Sequence, residues 1–221
     1  FDMSRNVIAR DKVLYDGHAV AAVAATSPQI AEKALSLIEV EYEVLKPAMT
    51  VSEAMKKNAP ILHKGMKTSG VEPTPSRSSN VASRAEFKLG DVDEAFKNAD
   101  IIVERDYTTQ TVHQGYIEPH ACLVNMMPDG KGEVWCCTQG HFNVAKVCAK
   151  LLGTDASQIR VTASEIGGGF GGKTAVFIEP VAVALSKKAN RPVKMVMSRS
   201  EVFRATGPTS STSMLVKIGM K

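Results

Sequence analysis

Glu165-Ile166-Gly167-Gly168-Gly169-Phe170-Gly171-Gly172-Lys173-Thr174 sets five glycines around one phenylalanine in six positions. A strand-like run, Gln158 to Ile166, precedes it, and a helix-like run, Ala175 to Ala189, follows with Pro180 near its first turns. Glycine admits a ligand close to the main chain and tolerates positive φ, but it loses more conformational entropy on folding than any other residue. Glycines this dense weaken a fold unless something needs the bare backbone. A strand, a glycine turn and a helix start also aim several N–H groups at one point, and the helix dipole adds partial positive charge. With the charge of Lys173, the sequence predicts a site for an anion or for an electron-rich oxygen or sulfur.

Around this centre the chain reads as α+β. Asp11 to Tyr15 and His18 to Thr26 have the pattern of short strands about a turn at Asp16-Gly17. Ser27-Pro28 starts a helix whose Ile30, Ala34, Leu37 and Ile38 recur at helical spacing and predict a buried face. Ile38 to Val44 alternates apolar and acidic residues, as a half-exposed strand does. Thr50 to Asn58 suits a short helix. From Ala59 to Ala82 five Pro and Gly residues and several serines predict a linker. The expected division is therefore 1–58, a partial small α/β domain; 59–82, the linker; and 83–221, the first part of a mixed α/β domain. In that last part the patterns predict a helix over Asp91 to Ala99, strands at Ile101 to Thr111, Ala121 to Met127 and Glu133 to Thr138, and a helix over His141 to Leu152 closed by Gly153. Strands at Arg160 to Ile166, Pro192 to Met197 and Met214 to Ile218 complete the reading.

Composition narrows the function classes. The 221 residues are 44% hydrophobic and 23% charged, as in a globular protein. The net charge of +4 comes from scattered basic residues, not from a nucleic-acid footprint. No apolar run is long enough for a membrane span. Phe1 at the start and Lys221 soon after a strand-like run suggest an internal fragment. Cys122, Cys136, Cys137 and Cys148 form no C-x-x-C pair and are expected as reduced thiols of an intracellular protein. His113, Glu118 and His120 have no common zinc spacing, so a structural role is expected and no metal-ligand set is assigned.

Three occupants compete for the glycine loop. Gly167-x-Gly169-x-x-Gly172 fits a dinucleotide fingerprint but lacks the acidic residue expected about twenty positions on. Gly167 to Gly172 with Lys173-Thr174 fits a P-loop, in which Lys173 would meet β/γ-phosphates and Thr174 a Mg²⁺. No Asp ends the strand at Val193 to Met197, however, and Phe170 sits inside the cradle. The third occupant comes from a likeness. EIGGGFGGK (Glu165–Lys173), TQG (Thr138–Gly140) and RPVKMVMSRSE (Arg191–Glu201) together resemble the molybdenum-binding subunit of the xanthine dehydrogenase/aldehyde oxidase family. DKVLYDGHAVAAVAA (Asp11–Ala25) with IEVEYEVLKPAMT (Ile38–Thr50) resembles that family's hammerhead domain, and YIEP (Tyr116–Pro119) has a family counterpart.

The resemblance implies a molybdenum–molybdopterin cofactor beside Gly168, Gly169, Phe170, Gly171 and Gly172, with Phe170 also a wall of the substrate pocket. Gln139 is either a cofactor-side donor or a helix cap. The family hydroxylates a carbon of an aldehyde or N-heterocycle with a water-derived oxygen. It passes two electrons to FeS and FAD centres on other domains or subunits. A dimeric, cytoplasmic full enzyme is implied, with a small-molecule substrate and neither nucleic acid nor membrane as partner. Val112 stands where xanthine dehydrogenases carry a Gln, with Gln110 and Gln114 nearby, and Thr174 replaces the Glu of purine-oxidising members. Purine is thus not the implied substrate. The catalytic Glu and most pterin loops lie in later sequence, so this part alone is expected to be catalytically incomplete and its own cofactor content stays open. A non-catalytic structural or assembly module, in which the loop only lets a helix pack closely, is the remaining alternative.

Overall fold

A computed structural model describes residues 6–221. It divides into two compact units, one made of residues up to Tyr42 with His113–Thr209, the other of Glu43–Val112 with Ser210–Lys221.

The first unit is built on a four-stranded sheet, ordered β4-β3-β2-β5, from β2 (Ala121–Met126), β3 (Gly132–Cys136), β4 (Ile159–Ala163) and β5 (Val193–Val196). β2 and β3 pair antiparallel around Pro128-Asp129-Gly130, as expected, with Cys122 opposite Cys136. β3 and β4 run parallel, joined by helix α4 (His141–Leu152). Burial alternates along β2 and β3, so Cys122, Val124, Met126, Val134 and Cys136 face the core. α4 and α5 (Glu179–Ala189) cover them with Val144, Cys148, Ala149, Ala182 and Val183. All four cysteines are free and buried. Burial holds their thiols above the ordinary value, at about 12 for Cys148, so they act as small apolar fillers.

Three local expectations are corrected. α5 begins at Glu179, not Ala175. Pro180 would clash with the carbonyl four residues back if the helix extended upstream, so Ala175–Ile178 stays irregular. Asp11–Tyr15, His18–Thr26 and Ile38–Val44 join no strand ladder among the described residues; the first two are linked by His18 N–H to Tyr15 C=O at the turn, and Ala9, just upstream, donates to Ala19 C=O. Alternation describes a face, and it makes no strand without a partner edge. The helix α1 (Pro28–Leu35) forms with the expected Ser27 cap, yet Ile30 and Leu37 are exposed, since no sheet lies there for its apolar face to cover.

In the second unit β1 (Ile101–Thr109) and β6 (Thr212–Met220) form an antiparallel ribbon, and α2 (Val51–Ala54) carries a Thr50/Glu53 capping box. The helix α3 (Val92–Lys97) lies beside the ribbon, Phe96 against Gly219. Residues 59–82 are irregular and tied by Asn80, whose side chain bonds Ala54 and Pro60 carbonyls and the Leu62 amide. A seven-residue helix α6 (Arg199–Ala205), in the first unit, is started by a Ser198/Glu201 box.

Ser186 shows how α5 is fastened to the sheet: its buried hydroxyl accepts from Met126 N–H at 3.0 Å and donates to Arg191 C=O at 2.8 Å. Ser186→Ala strands both groups and is expected to cost about 1–3 kcal/mol. Urea unfolding followed by the single tryptophan, Trp135, measures it, and an unmoved midpoint refutes this role.

Candidate functional site

The glycine loop follows β4 and lies at the carboxyl ends of the parallel pair β3/β4, the usual address of ligands in sheets of this kind. Its neighbour there is the turn Cys137–Gly140 that enters α4. Gln139 N–H donates to Lys173 C=O at 2.9 Å, and Thr138 Oγ1 donates to the same carbonyl at 3.2 Å. The Gln139 side-chain oxygen accepts from the amides of Gly171 (3.2 Å) and Lys173 (3.3 Å). Gln139 is therefore brought to the loop as expected, but it grips the exit of the loop, and the cap position of α4 belongs to Gly140.

Other side chains press on the loop at its glycines. A Cβ on Gly169 would sit 2.6 Å from Gln139 Oε1, one on Gly167 2.9 Å from Glu118 Cβ, and one on Gly172 2.8 Å from Tyr116 Cε1. Part of the glycine density thus answers to the protein's own packing. A Cβ on Gly171 would meet nothing, though φ there is +86°. Phe170 takes φ +49°, a left-handed backbone rarely adopted by an aromatic residue, and its ring is 75% exposed.

The electrostatics differ from the sequence expectation. Lys173 is fully buried, with Nζ 2.5 Å from Glu118 Oε2 and 4.9 Å from the centroid of the Tyr116 ring. Its charge is met within the protein. The start of α5 is also displaced from the loop, and its first turn holds the buried Glu179, whose carboxylate accepts from Phe177 N–H and is pushed above its ordinary value by burial. The helix that does start beside the loop is α4.

What the loop offers is amides. Gly167 N–H goes to Glu118, Gly171 and Lys173 N–H to Gln139, Gly172 N–H to Gly169 C=O and Thr174 N–H to Gly171 C=O. Those of Gly168, Gly169 and Phe170 have no hydrogen-bond partner among the described residues. Gln114 Oε1, beside Gly172, is buried and likewise unpartnered. Three unspent donors in succession, on the half-buried Gly168, the buried Gly169 and the exposed Phe170, suit a group rich in oxo and thiolate acceptors. They do not suit a nucleoside triphosphate in P-loop fashion, because Lys173 is engaged by Glu118 and the Thr174 hydroxyl donates to Gly171 C=O at 2.7 Å.

Below the loop, Tyr116 is 1% exposed, and its hydroxyl lies 2.7 Å from His120 Nε2 and 3.1 Å from Thr206 Oγ1. His113 Nε2 meets the same threonine at 2.8 Å. His113, Glu118 and His120 therefore go to separate partners. Arg199 donates to the Tyr116 and Ile117 carbonyls, and Arg204 makes a bidentate bond to Asp16. Tyr116, the Glu118–Lys173 pair and Arg199 were not identified as a unit in the sequence. The YIEP string was the available signal. A recess of about 290 Å³, lined by Met126, Leu152, Lys187 and Asn190 among others, lies at the opposite end of the sheet.

Residues 73–221 match the molybdopterin cofactor-binding domain model, about two thirds of the chain. The chain belongs to this family. Residues 1–46 match the aldehyde oxidase and xanthine dehydrogenase a/b hammerhead domain. The chain is 32% identical to a probable hypoxanthine oxidase, XdhD, of Escherichia coli K12, covering 95% of this chain and 24% of that protein. It is also 32% identical to the nicotinate dehydrogenase large molybdopterin subunit of Eubacterium barkeri, over 95% of this chain and 46% of the other. A solved CO dehydrogenase from Oligotropha carboxidovorans superposes with TM-score 0.81 at 27% identity, over 97% of this chain and 27% of that one. The chain thus spans about a quarter of most of the relatives it matches. Among the described residues no helix is long and apolar enough to cross a membrane.

Burial, with Lys173 nearby, lowers the His120 pKa to about 4 from its ordinary 6.5. The unfolded chain binds a proton at His120 as pH falls through about 6.5, and the folded chain only near 4. Stability is therefore fully present above 6.5 and lost down to about 4, by about 3 kcal/mol. Urea midpoints across this range should fall less steeply in His120→Gln; equal slopes refute the assignment.

Proposed function

We propose that this chain is the front of the molybdenum-binding part of a molybdopterin-dependent hydroxylase, and that its glycine loop holds the cofactor by main-chain donors. The observation that carries this reading is the run of three unspent amides, Gly168, Gly169 and Phe170, in a chain of the molybdopterin-binding family. These amides would donate to the electron-rich edge of the cofactor. Gly171 keeps the approach clear of side chains, Gly172 lets the loop close on Tyr116, and Gln139 holds the loop's exit. When bound, the cofactor supplies a two-electron redox centre that adds a water-derived oxygen to an aldehyde or N-heterocycle-type carbon.

The exposed ring of Phe170 would form a wall of the substrate pocket, where an aromatic face orients a planar substrate and excludes water. The reading divides the chain into a hammerhead part at 1–58, a linker at 59–82 and the start of the cofactor domain at 83–221. Residues outside this quarter complete the catalytic set. FeS and FAD centres on other domains or subunits take the electrons, and the full enzyme is a dimer. Four unbonded thiols suit a reducing compartment, which supports a cytoplasmic enzyme.

Molybdenum and pterin assayed in the intact full-length protein test the proposal: near-stoichiometric amounts are expected, and their absence overturns it. Gly169→Ala pushes a methyl group into Gln139 and frees the exit of the loop, so molybdenum content should fall about tenfold or more. Isothermal titration with ATP and Mg²⁺ should give no micromolar binding; binding abolished by Lys173→Ala would establish the P-loop reading instead.

A further inference from the structure

The loop carries an ion pair that the proposed function leaves without a role: Lys173 is fully buried, and the Glu118 side chain is 29% exposed. Glu118 Oε2 accepts from Gly167 N–H at 2.8 Å, at the entry of the loop, and from Lys173 Nζ at 2.5 Å, at its exit. One carboxylate oxygen thus joins the two ends. Glu118 is itself fixed: its own N–H donates to Gly167 C=O at 3.3 Å, and Arg199 holds the preceding carbonyls of Tyr116 and Ile117. The Tyr116 ring fills the space under Gly172 and under the lysine head.

An ion pair with one partner fully buried is a poor way to gain stability, because desolvation of that charge offsets much of the attraction and an apolar pair of similar volume does about as well. An apolar pair, however, provides no acceptor for Gly167 N–H and no fixed separation of the loop's ends. The arrangement also satisfies every donor around the oxygen-rich side of Glu118 while leaving the middle three amides untouched.

We propose that Glu118 and Lys173 are positioning residues, an internal clamp that closes the two ends of the glycine loop on one carboxylate oxygen and so holds the amides of Gly168, Gly169 and Phe170 ready for the cofactor. This rests on the proposed function. The clamp gives Lys173 a task other than attracting the ligand: its charge neutralises Glu118, which would otherwise stand as a bare anion beside an anionic guest.

The test uses the full-length protein and the double variant Glu118→Met/Lys173→Met, read by melting temperature, molybdenum per polypeptide and the electron paramagnetic resonance signal of the bound metal. Removing both charges together should leave the melting temperature near that of the wild type, with molybdenum content lowered about tenfold or more and the residual signal altered. Wild-type content with an unchanged signal overturns the clamp and leaves the proposed function standing. A wild-type protein free of molybdenum overturns the proposed function, and the clamp with it. Should the double variant not fold, Glu118→Gln and Glu118→Ala are compared. Both remove the ion pair, but only glutamine keeps an acceptor for Gly167. The glutamine variant should retain several-fold more molybdenum than the alanine variant, and equal content overturns the clamp.

Discussion

A glycine-rich loop brings a surplus of backbone donors, and how the chain disposes of them governs the whole site. Water or a protein acceptor must take each amide, or a ligand must. Here Glu118 takes the one at the entry, Gln139 takes two at the exit, and the loop's own carbonyls take those of Gly172 and Thr174. The three in the middle are left over. The rest of the first unit serves this division. The hairpin β2–β3 and the β3–α4–β4 connection bring Gln139 and the loop to the same end of the sheet, and Arg199 at the start of α6 steadies the segment that bears Glu118.

Much of this architecture was legible in the residues. Pro128-Asp129-Gly130 located the hairpin, Gly153 ended α4, and Ser27-Pro28 began α1, because turn and cap chemistry acts through nearest neighbours. The family resemblance likewise rested on strings whose order along the chain held. What failed depended on partners far away in sequence. The alternation at Ile38–Val44 says which residues share a face and is silent on whether another strand lies alongside. The helix after the loop was read too long because apolar spacing continued upstream of Pro180, where the ring forbids it.

At the site, Gln139 and the loop are legible, but the charge of Lys173, counted toward the loop's ligand, is buried and paired with Glu118 instead. Sequence spacing cannot see that Glu118, 55 positions away, occupies the same pocket. The same blindness affects the glycines. Read alone, each glycine from Gly167 to Gly172 suggests room for a ligand. Gly167, Gly169 and Gly172 in fact make room for Glu118, Gln139 and Tyr116, and Gly168 lies against Tyr116 and the Phe170 ring; only at Gly171 would an added Cβ meet nothing, and the unbonded amides are those of Gly168, Gly169 and Phe170.

That separation bears on the three occupants first considered for the loop. A dinucleotide or P-loop site relies on a helix N-terminus directly after the glycines, and a P-loop also on a lysine free to reach phosphate. Here four irregular residues intervene before α5, its first turn holds a buried carboxylate, and the lysine is held inside the protein. A loop serving only helix packing would in turn need no unspent donors and no aromatic residue strained into positive φ with its ring in the open. Amides without charge, beside an exposed aromatic ring, fit an uncommonly bulky acceptor-rich group that must be bound along an edge and left accessible on its reactive side. The one lysine of the loop is spent on Glu118, while the weak, directional donors of Gly168, Gly169 and Phe170 remain unbonded within the described residues.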